Sequence, residues 1–114
     1  MKIEVVNFRL KFGKLYPGGV AADSSVMKGF LTFKKECVRC HSINLQGGDI
    51  GPELNAPQNV TEYWPINTLK RFIRNAPSFR YKSKMPPFAQ LDEQQVDELI
   101  EYLKHMKELK ITSP

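Results

Sequence analysis

Only two cysteines, two histidines and one tryptophan occur in 114 residues, so few side chains are available for a reactive site. Both cysteines fall in one short stretch, which leaves no disulfide framework and removes the usual cysteine argument for an oxidising compartment. No apolar run approaches the length needed to cross a bilayer, and the expectation is a soluble domain that does not span a membrane. Residues 1–12 are interrupted by charges and hold no continuous apolar segment, which excludes a secretory signal within them. Nucleic-acid motifs are missing, and the basic residues form no long run of the kind that anchors a chain to a membrane surface.

What the sequence does contain is concentrated at Cys37-Val38-Arg39-Cys40-His41. Cys-x-x-Cys-His is the attachment signature of a c-type haem. Two thiols one helical turn apart can each add across a vinyl group of the porphyrin, and the adjacent imidazole of His41 is then held beneath the iron as proximal ligand. Two other readings compete. A closed zinc site needs four N or S ligands, and beyond this stretch the chain offers only His105. A dithiol oxidoreductase places its Cys-x-x-Cys at a helix N-terminus, where the thiolate is stabilised; here the motif ends a helical pattern.

A chain of 114 residues is one small domain with a tail at most, and a domain of this size buries a modest share of its surface, so that a staple would add to its stability. A covalently held, largely buried porphyrin would supply one. Val6, Phe8, Leu10 and Phe12 alternate with polar residues, the period of a half-buried strand, although no second convincing strand follows to pair with it. Tyr16-Pro17-Gly18-Gly19 breaks the pattern, and residues 13–22 read as a linker. The domains expected are therefore an extension over residues 1–22 and a haem domain over residues 23–114.

Asp23, Ser24 and Ser25 are good N-cap residues, and Val26, Phe30, Phe33 and Cys37 then recur at helical spacing, which predicts a helix over about residues 24–38. From Ser42 to Thr61 the chain is rich in Gly, Pro and Asn without periodicity, a long loop that needs something to wrap. Asn67 or Thr68 caps a short helix carrying Leu69, Phe72 and Ile73, which ends before Pro77. A basic loop with Arg80, Lys82, Lys84 and Met85 follows. The last helix is the clearest: Asp92 and Gln95 form a capping box, and Val96, Leu99, Ile100, Leu103 and Met106 make its apolar stripe.

These residues, in this order, resemble the monohaem class I cytochromes c, the class of the mitochondrial protein and its small bacterial relatives. The resemblance runs from about Ser24 to Lys107 and rests on Gly29-x-x-x-Phe33, the Cys37 to His41 motif, Gly51-Pro52-Glu53-Leu54, Trp64-x-x-x-Thr68-Leu69, Asn75, Lys84-Met85 and Leu99 to Lys104. Residues 1–22 have no counterpart in it. It implies an all-α cytochrome c fold, with about three main helices and long loops around one covalently bound haem c. It implies that Met85 is the distal ligand, where a thioether raises the potential relative to two nitrogen ligands; the bland alternative is a methionine filling a gap in the core. By the same resemblance the Pro52 carbonyl accepts the Nδ1 proton of His41, leaving Nε2 for iron. Trp64 matches a residue that donates its indole N–H to a haem propionate, though a plain core tryptophan suits the sequence equally. Gly29 is expected where the first and last helices cross, against Leu99 and Tyr102, and His105 is expected at the surface.

The function expected is one-electron transfer, with Cys37, Cys40, His41, Pro52, Trp64 and Met85 as cofactor-binding residues and no substrate chemistry. The net charge of +5 conceals an asymmetry: residues 1–90 carry 14 Lys and Arg against 6 Asp and Glu, while residues 91–114 carry 3 against 6. Lys70, Arg71, Arg74, Arg80, Lys82 and Lys84 cluster around the distal side, which favours a redox partner with an acidic docking surface. Two alternatives stand beside the carrier. One is a peroxidase or gas sensor in which Met85 dissociates, disfavoured by the stiff Pro86-Pro87 that follows. The other is a subunit or domain of a larger oxidoreductase, in which residues 1–12 add a strand to a partner. Haem attachment of this kind implies a periplasmic location, and hence a mature or truncated chain with an added Met1.

Overall fold

The structure, a computed structural model, describes residues 13–76 and 85–111. The alternating segment 1–12 and the basic residues Arg80, Lys82 and Lys84 lie outside the described residues. Ser24 stops the chain from running straight into a helix by taking an extended conformation and accepting the Met27 N–H on its hydroxyl at 3.1 Å. The helix it opens, α1, spans Ser25–Glu36 and buries Gly29, Phe30 and Phe33 on one side. Lys34 and Lys35 occupy its last turn, the end where cations complement the helix dipole. Cys37 is its C-cap, so the haem motif begins where the helix ends and continues as a turn, with Cys40 and His41 N–H both donating to the Cys37 carbonyl.

A short antiparallel hairpin follows at once: β1, Ser42–Ile43, pairs with β2, Gln46–Gly47. Its two tip residues, Asn44 and Leu45, have φ of 52° and 68°, the left-handed pair that a tight hairpin turn requires. Asparagine suits that conformation and leucine does not, which is why the segment reads as irregular loop in the sequence. The rest of the expected loop is also more ordered than its composition implies. Asn59 caps α2, Val60–Tyr63, through a capping box with Glu62. The next helix, α3, spans Ile66–Arg74, and its N-cap is Pro65 rather than Asn67 or Thr68, with no side-chain cap. Pro65 holds φ at −57°, and its carbonyl accepts the Leu69 N–H at 2.9 Å as the first bond of the helix. The long helix α4, Glu93–Met106, is capped by the Asp92 and Gln95 box and continues into a 3-10 turn over Lys107–Leu109.

Helices α1 and α4 form the central pair, and Gly29 sets how closely they approach. A Cβ at Gly29 would stand 2.0 Å from the Glu98 carbonyl oxygen and 2.8 Å from Tyr102 Cβ, so only glycine fits. The crossing thus meets Tyr102 as expected, and the backbone of Glu98 one residue before Leu99. Around it, Phe30 and Phe33 pack on the Tyr102 ring at centroid distances of 5.7 and 5.4 Å. Val96, Leu99, Ile100, Leu103 and Met106 are all buried in the same core, and each such side chain contributes about 1.5–3 kcal/mol of burial.

Residues 13–22 are not a passive linker. Leu15 is 1 % exposed, its carbonyl accepts the Tyr102 hydroxyl at 2.7 Å, and Tyr16 meets Phe30 edge to face at 5.7 Å. His105 is likewise not simply at the surface: it is half-buried, with Nε2 3.0 Å from the Gly18 carbonyl oxygen. A ladder of buried asparagines closes the far end of α4. Asn59 donates to Asn55 Oδ1 and the Leu103 carbonyl; Asn55 donates to Asn44 Oδ1 and the Met106 carbonyl; Asn44 donates to the carbonyls of Leu109 and Lys14. Carbonyls at a helix C-terminus lack intrahelical partners, and here side-chain amides serve them. The described part of the chain is therefore mostly helical with one minimal hairpin, rather than helices and open loops alone.

Candidate haem site

Helix α1 delivers Cys37, Cys40 and His41 to the wall of a cavity of about 860 Å³, lined mainly by apolar side chains. Its volume falls in the range of about 300–1,000 Å³ typical of cofactor pockets. All of Cys37, Cys40, His41, Pro52, Trp64 and Met85 line it, although they come from separate stretches of chain. Phe33, Leu99 and Leu103 close it from the α1 and α4 side, and Leu69, Phe72 and Ile73 from α3.

The imidazole of His41 is fixed from two directions. Its Nδ1 lies 2.8 Å from the Pro52 carbonyl oxygen. Gly51 lies against the ring so closely that a Cβ there would come 2.4 Å from Cε1, so a larger residue before Pro52 would push the imidazole out of this position. Backbone bonds tie this loop to the motif itself: Gly51 N–H donates to the Cys40 carbonyl and Leu54 N–H to the Ser42 carbonyl, at 2.8 and 2.9 Å. Gly48 makes a similar approach, where a Cβ would stand 2.1 Å from the Arg39 carbonyl oxygen. The stretch after the motif is thus folded back onto it.

Burial, with help from the charges of Glu36 and Cys40, pushes the Cys37 thiol up to about 12. A redox-active dithiol needs the opposite, a thiol whose pKa is lowered towards neutrality. Both cysteines are unbridged. Among the described residues no three His, Cys, Asp or Glu side chains are disposed to hold a metal ion, which gives the zinc reading no ligand set. Half-buried thiols facing an apolar cavity instead suit addition to a hydrophobic macrocycle. The residues present fit haem c.

Trp64 is half-buried at the cavity wall, with its ring 5.5 Å from that of Phe72. Met85 is half-buried and packs against the core cluster. The mouth carries two residues with no earlier signal, Ile50 at 66 % and Tyr63 at 44 % exposure, both of which line the cavity. Nothing in their spacing marks them, because the loop and the short α2 that place them have no periodicity. Glu53 is the other residue missed, as its importance lies in what its carboxylate grips rather than in the cavity.

A cavity walled by apolar helices, into which one helix end feeds paired thiols and an imidazole, is that of a c-type cytochrome domain. The family described as cytochrome c oxidase, cbb3-type, subunit III matches residues 24–103. The match covers well over half of the chain, and the chain belongs to this family. No curated protein matches it. The matched span begins at the N-cap of α1 and ends within α4, so it contains every one of the residues placed at the cavity.

Proposed function

We propose that this chain carries one haem c, held by thioethers from Cys37 and Cys40 and ligated by His41 and Met85, and that it passes single electrons between redox proteins. The observation that carries this reading is the convergence of all six residues on one apolar cavity. When bound, the haem supplies a reversible one-electron couple, and His/Met ligation places its potential above that of two nitrogen ligands. The chain's part is to hold and shield it. An imidazole donating Nδ1–H to the Pro52 carbonyl keeps Nε2 as its lone pair, and the bond raises its basicity as a ligand. Phe33, Leu99 and Leu103 give the cavity an apolar wall against which the macrocycle would pack. Pro86 and Pro87 stiffen the chain beyond Met85, which favours a retained thioether over one that dissociates. Trp64, at the wall, would offer its indole N–H to a propionate.

The partner we infer is a redox protein with an acidic face, as a subunit-III-type domain would meet in an oxidase complex on the outer side of a bacterial inner membrane. Among the described residues no helix is long and apolar enough to cross a membrane. Arg71 is exposed and Arg74 half-exposed on α3, while Lys70 is ion-paired with Asp97. Charges of this kind act chiefly on association rates and lose their reach beyond a Debye length of about 8 Å at physiological salt.

The test is Met85→Ala in the haem-loaded protein. Haem should stay attached, because the thioethers and His41 are untouched, while the ferric spectrum turns high-spin or water-ligated and the potential falls. A low-spin spectrum with unchanged potential would show that another residue is the sixth ligand. A high-spin spectrum in the unmodified protein would favour the peroxidase or gas-sensing alternative.

A further inference from the structure

We propose that Glu53 is a positioning residue for His41: its carboxylate clamps residues 52–56 to the hairpin tip and so keeps the Pro52 carbonyl aimed at His41 Nδ1. The inference rests on the haem reading above. Glu53 follows Pro52 directly, so the carbonyl that faces His41 belongs to the Pro52-Glu53 peptide. Any rotation of that peptide swings the oxygen away from the imidazole. Pro52 has a fixed φ but no N–H with which to anchor itself.

The Glu53 side chain provides the missing anchor on both sides. Oε1 accepts the Leu45 N–H at 2.7 Å, and Oε2 accepts the Asn55 and Ala56 N–H groups at 2.6 Å each. The Leu45 bond reaches across to the tip of the hairpin, where Leu45 holds a left-handed φ of 68°. The hairpin begins at the residue after His41, so the carboxylate ties the chain beyond the ligand to the chain beyond the carbonyl. Hydrogen bonds to an ionised acceptor are shorter and roughly twice as strong as neutral ones, and the distances here are of that kind. Burial alone would raise this carboxyl, but the N–H groups of Ala56, Leu45 and Asn55 and the side chain of Ser42 hold it below its ordinary value. It is therefore ionised throughout the neutral range. Backbone bonds at Gly51 and Leu54 bracket the same peptide, yet neither acts on residue 53 itself.

A residue that only stabilised the loop would alter unfolding and nothing at the imidazole. The experiment therefore reads His41 directly, by NMR solvent exchange of its Nδ1–H and by redox titration of the haem-loaded protein. Glu53→Ala should speed that exchange about tenfold or more, on the scale at which losing an outer-shell partner weakens a metal site. It should also raise the potential, because a weaker Nδ1–H bond makes the imidazole less basic. Glu53→Gln should fall between: its amide oxygen can still accept from Asn55 and Ala56, but its NH₂ group faces the Leu45 N–H. Gln also keeps the side chain's volume, so it carries the test if the alanine variant fails to take up haem. Asp49→Asn, which removes an exposed charge from the same loop, should leave exchange unchanged.

Wild-type exchange in both Glu53 variants would overturn the proposal, even if both unfold more easily. So would a potential shift matched by Asp49→Asn with exchange unmoved, since that would be charge alone. Failure of the unmodified protein to bind haem through His41 would instead overturn the haem reading, and this inference with it.

Discussion

The Tyr102 hydroxyl donates to the Leu15 carbonyl at 2.7 Å, across 87 residues of sequence and with both groups buried. The bond fastens the segment before α1 to the middle of α4, on the flank of the α1 and α4 crossing. It also explains how a tyrosine can be fully buried there, since its O–H has a partner. Burial, reinforced by the nearby Cys37, pushes its pKa up, so it stays a donor throughout the accessible range.

Tyr102→Phe keeps the ring that packs on Phe30 and Phe33 but leaves the Leu15 carbonyl buried and unpaired. An unsatisfied buried acceptor costs about 1–3 kcal/mol, and denaturant unfolding should show a loss of that size with an unchanged slope. The haem spectrum should not change, because neither Tyr102 nor Leu15 lines the cavity. A wild-type midpoint would mean that the carbonyl finds water, and that the 14–18 segment is not held there.

How much of this was legible in the sequence depended on whether a residue's role is local. Ser24, Asp92 and Gln95 cap their own helices, and the stripe Val96, Leu99, Ile100, Leu103 and Met106 has helical spacing, so α1 and α4 could be read closely. The motif Cys37 to His41 carries its chemistry in its spacing, and the cavity it lines also holds the other residues named for it. Roles that depend on distant partners were hidden. Residues 13–22 look like a linker because the buried Leu15 and the Tyr16 ring sit in a stretch without periodicity, and the Leu15 carbonyl that Tyr102 reaches has no signature in sequence. The hairpin was hidden because Leu45 adopts a left-handed φ that leucine disfavours. The asparagines at 44, 55 and 59 look like loop composition until the α4 carbonyls that they serve are known.

Gly29→Ala sets two effects of known sign against each other. In a helix interior Ala is favoured over Gly by about 1 kcal/mol. Against that, the new Cβ would stand 2.0 Å from a backbone oxygen of the neighbouring helix, which can retreat only if α1 and α4 separate. Overpacking of this kind costs about 1–3 kcal/mol, occasionally more, and here the upper end applies because the obstacle is backbone. The steric effect wins, and a net loss of about 2 kcal/mol or more is expected in denaturant unfolding. Gly18→Ala is the control, since a Cβ there meets nothing within 4 Å. Equal midpoints for the two variants would show that the crossing is looser than the contact at Glu98 implies.

Acid unfolding should expose Glu53. Its carboxyl is buried in part, which raises its pKa, but hydrogen bonds from Ala56, Leu45, Asn55 and Ser42 outweigh this and lower it from the ordinary 4.5. A group whose folded pKa is depressed stabilises the fold fully above its unfolded value and loses that stabilisation as pH falls through the folded one. The Glu53 contribution should therefore be complete at neutral pH and should begin to disappear below about pH 4.5. In Glu53→Gln no proton is taken up at this position, so the stability gap between wild type and variant should be widest near pH 7 and should narrow steadily in acid. The loop it clamps carries the Pro52 carbonyl, so the His41 Nδ1–H should exchange faster over the same acid range in the wild type. In the variant that exchange should already be fast at neutral pH and should change less with acid. A stability gap that stays constant from neutral to acid pH would show that the carboxylate's charge contributes nothing to the clamp.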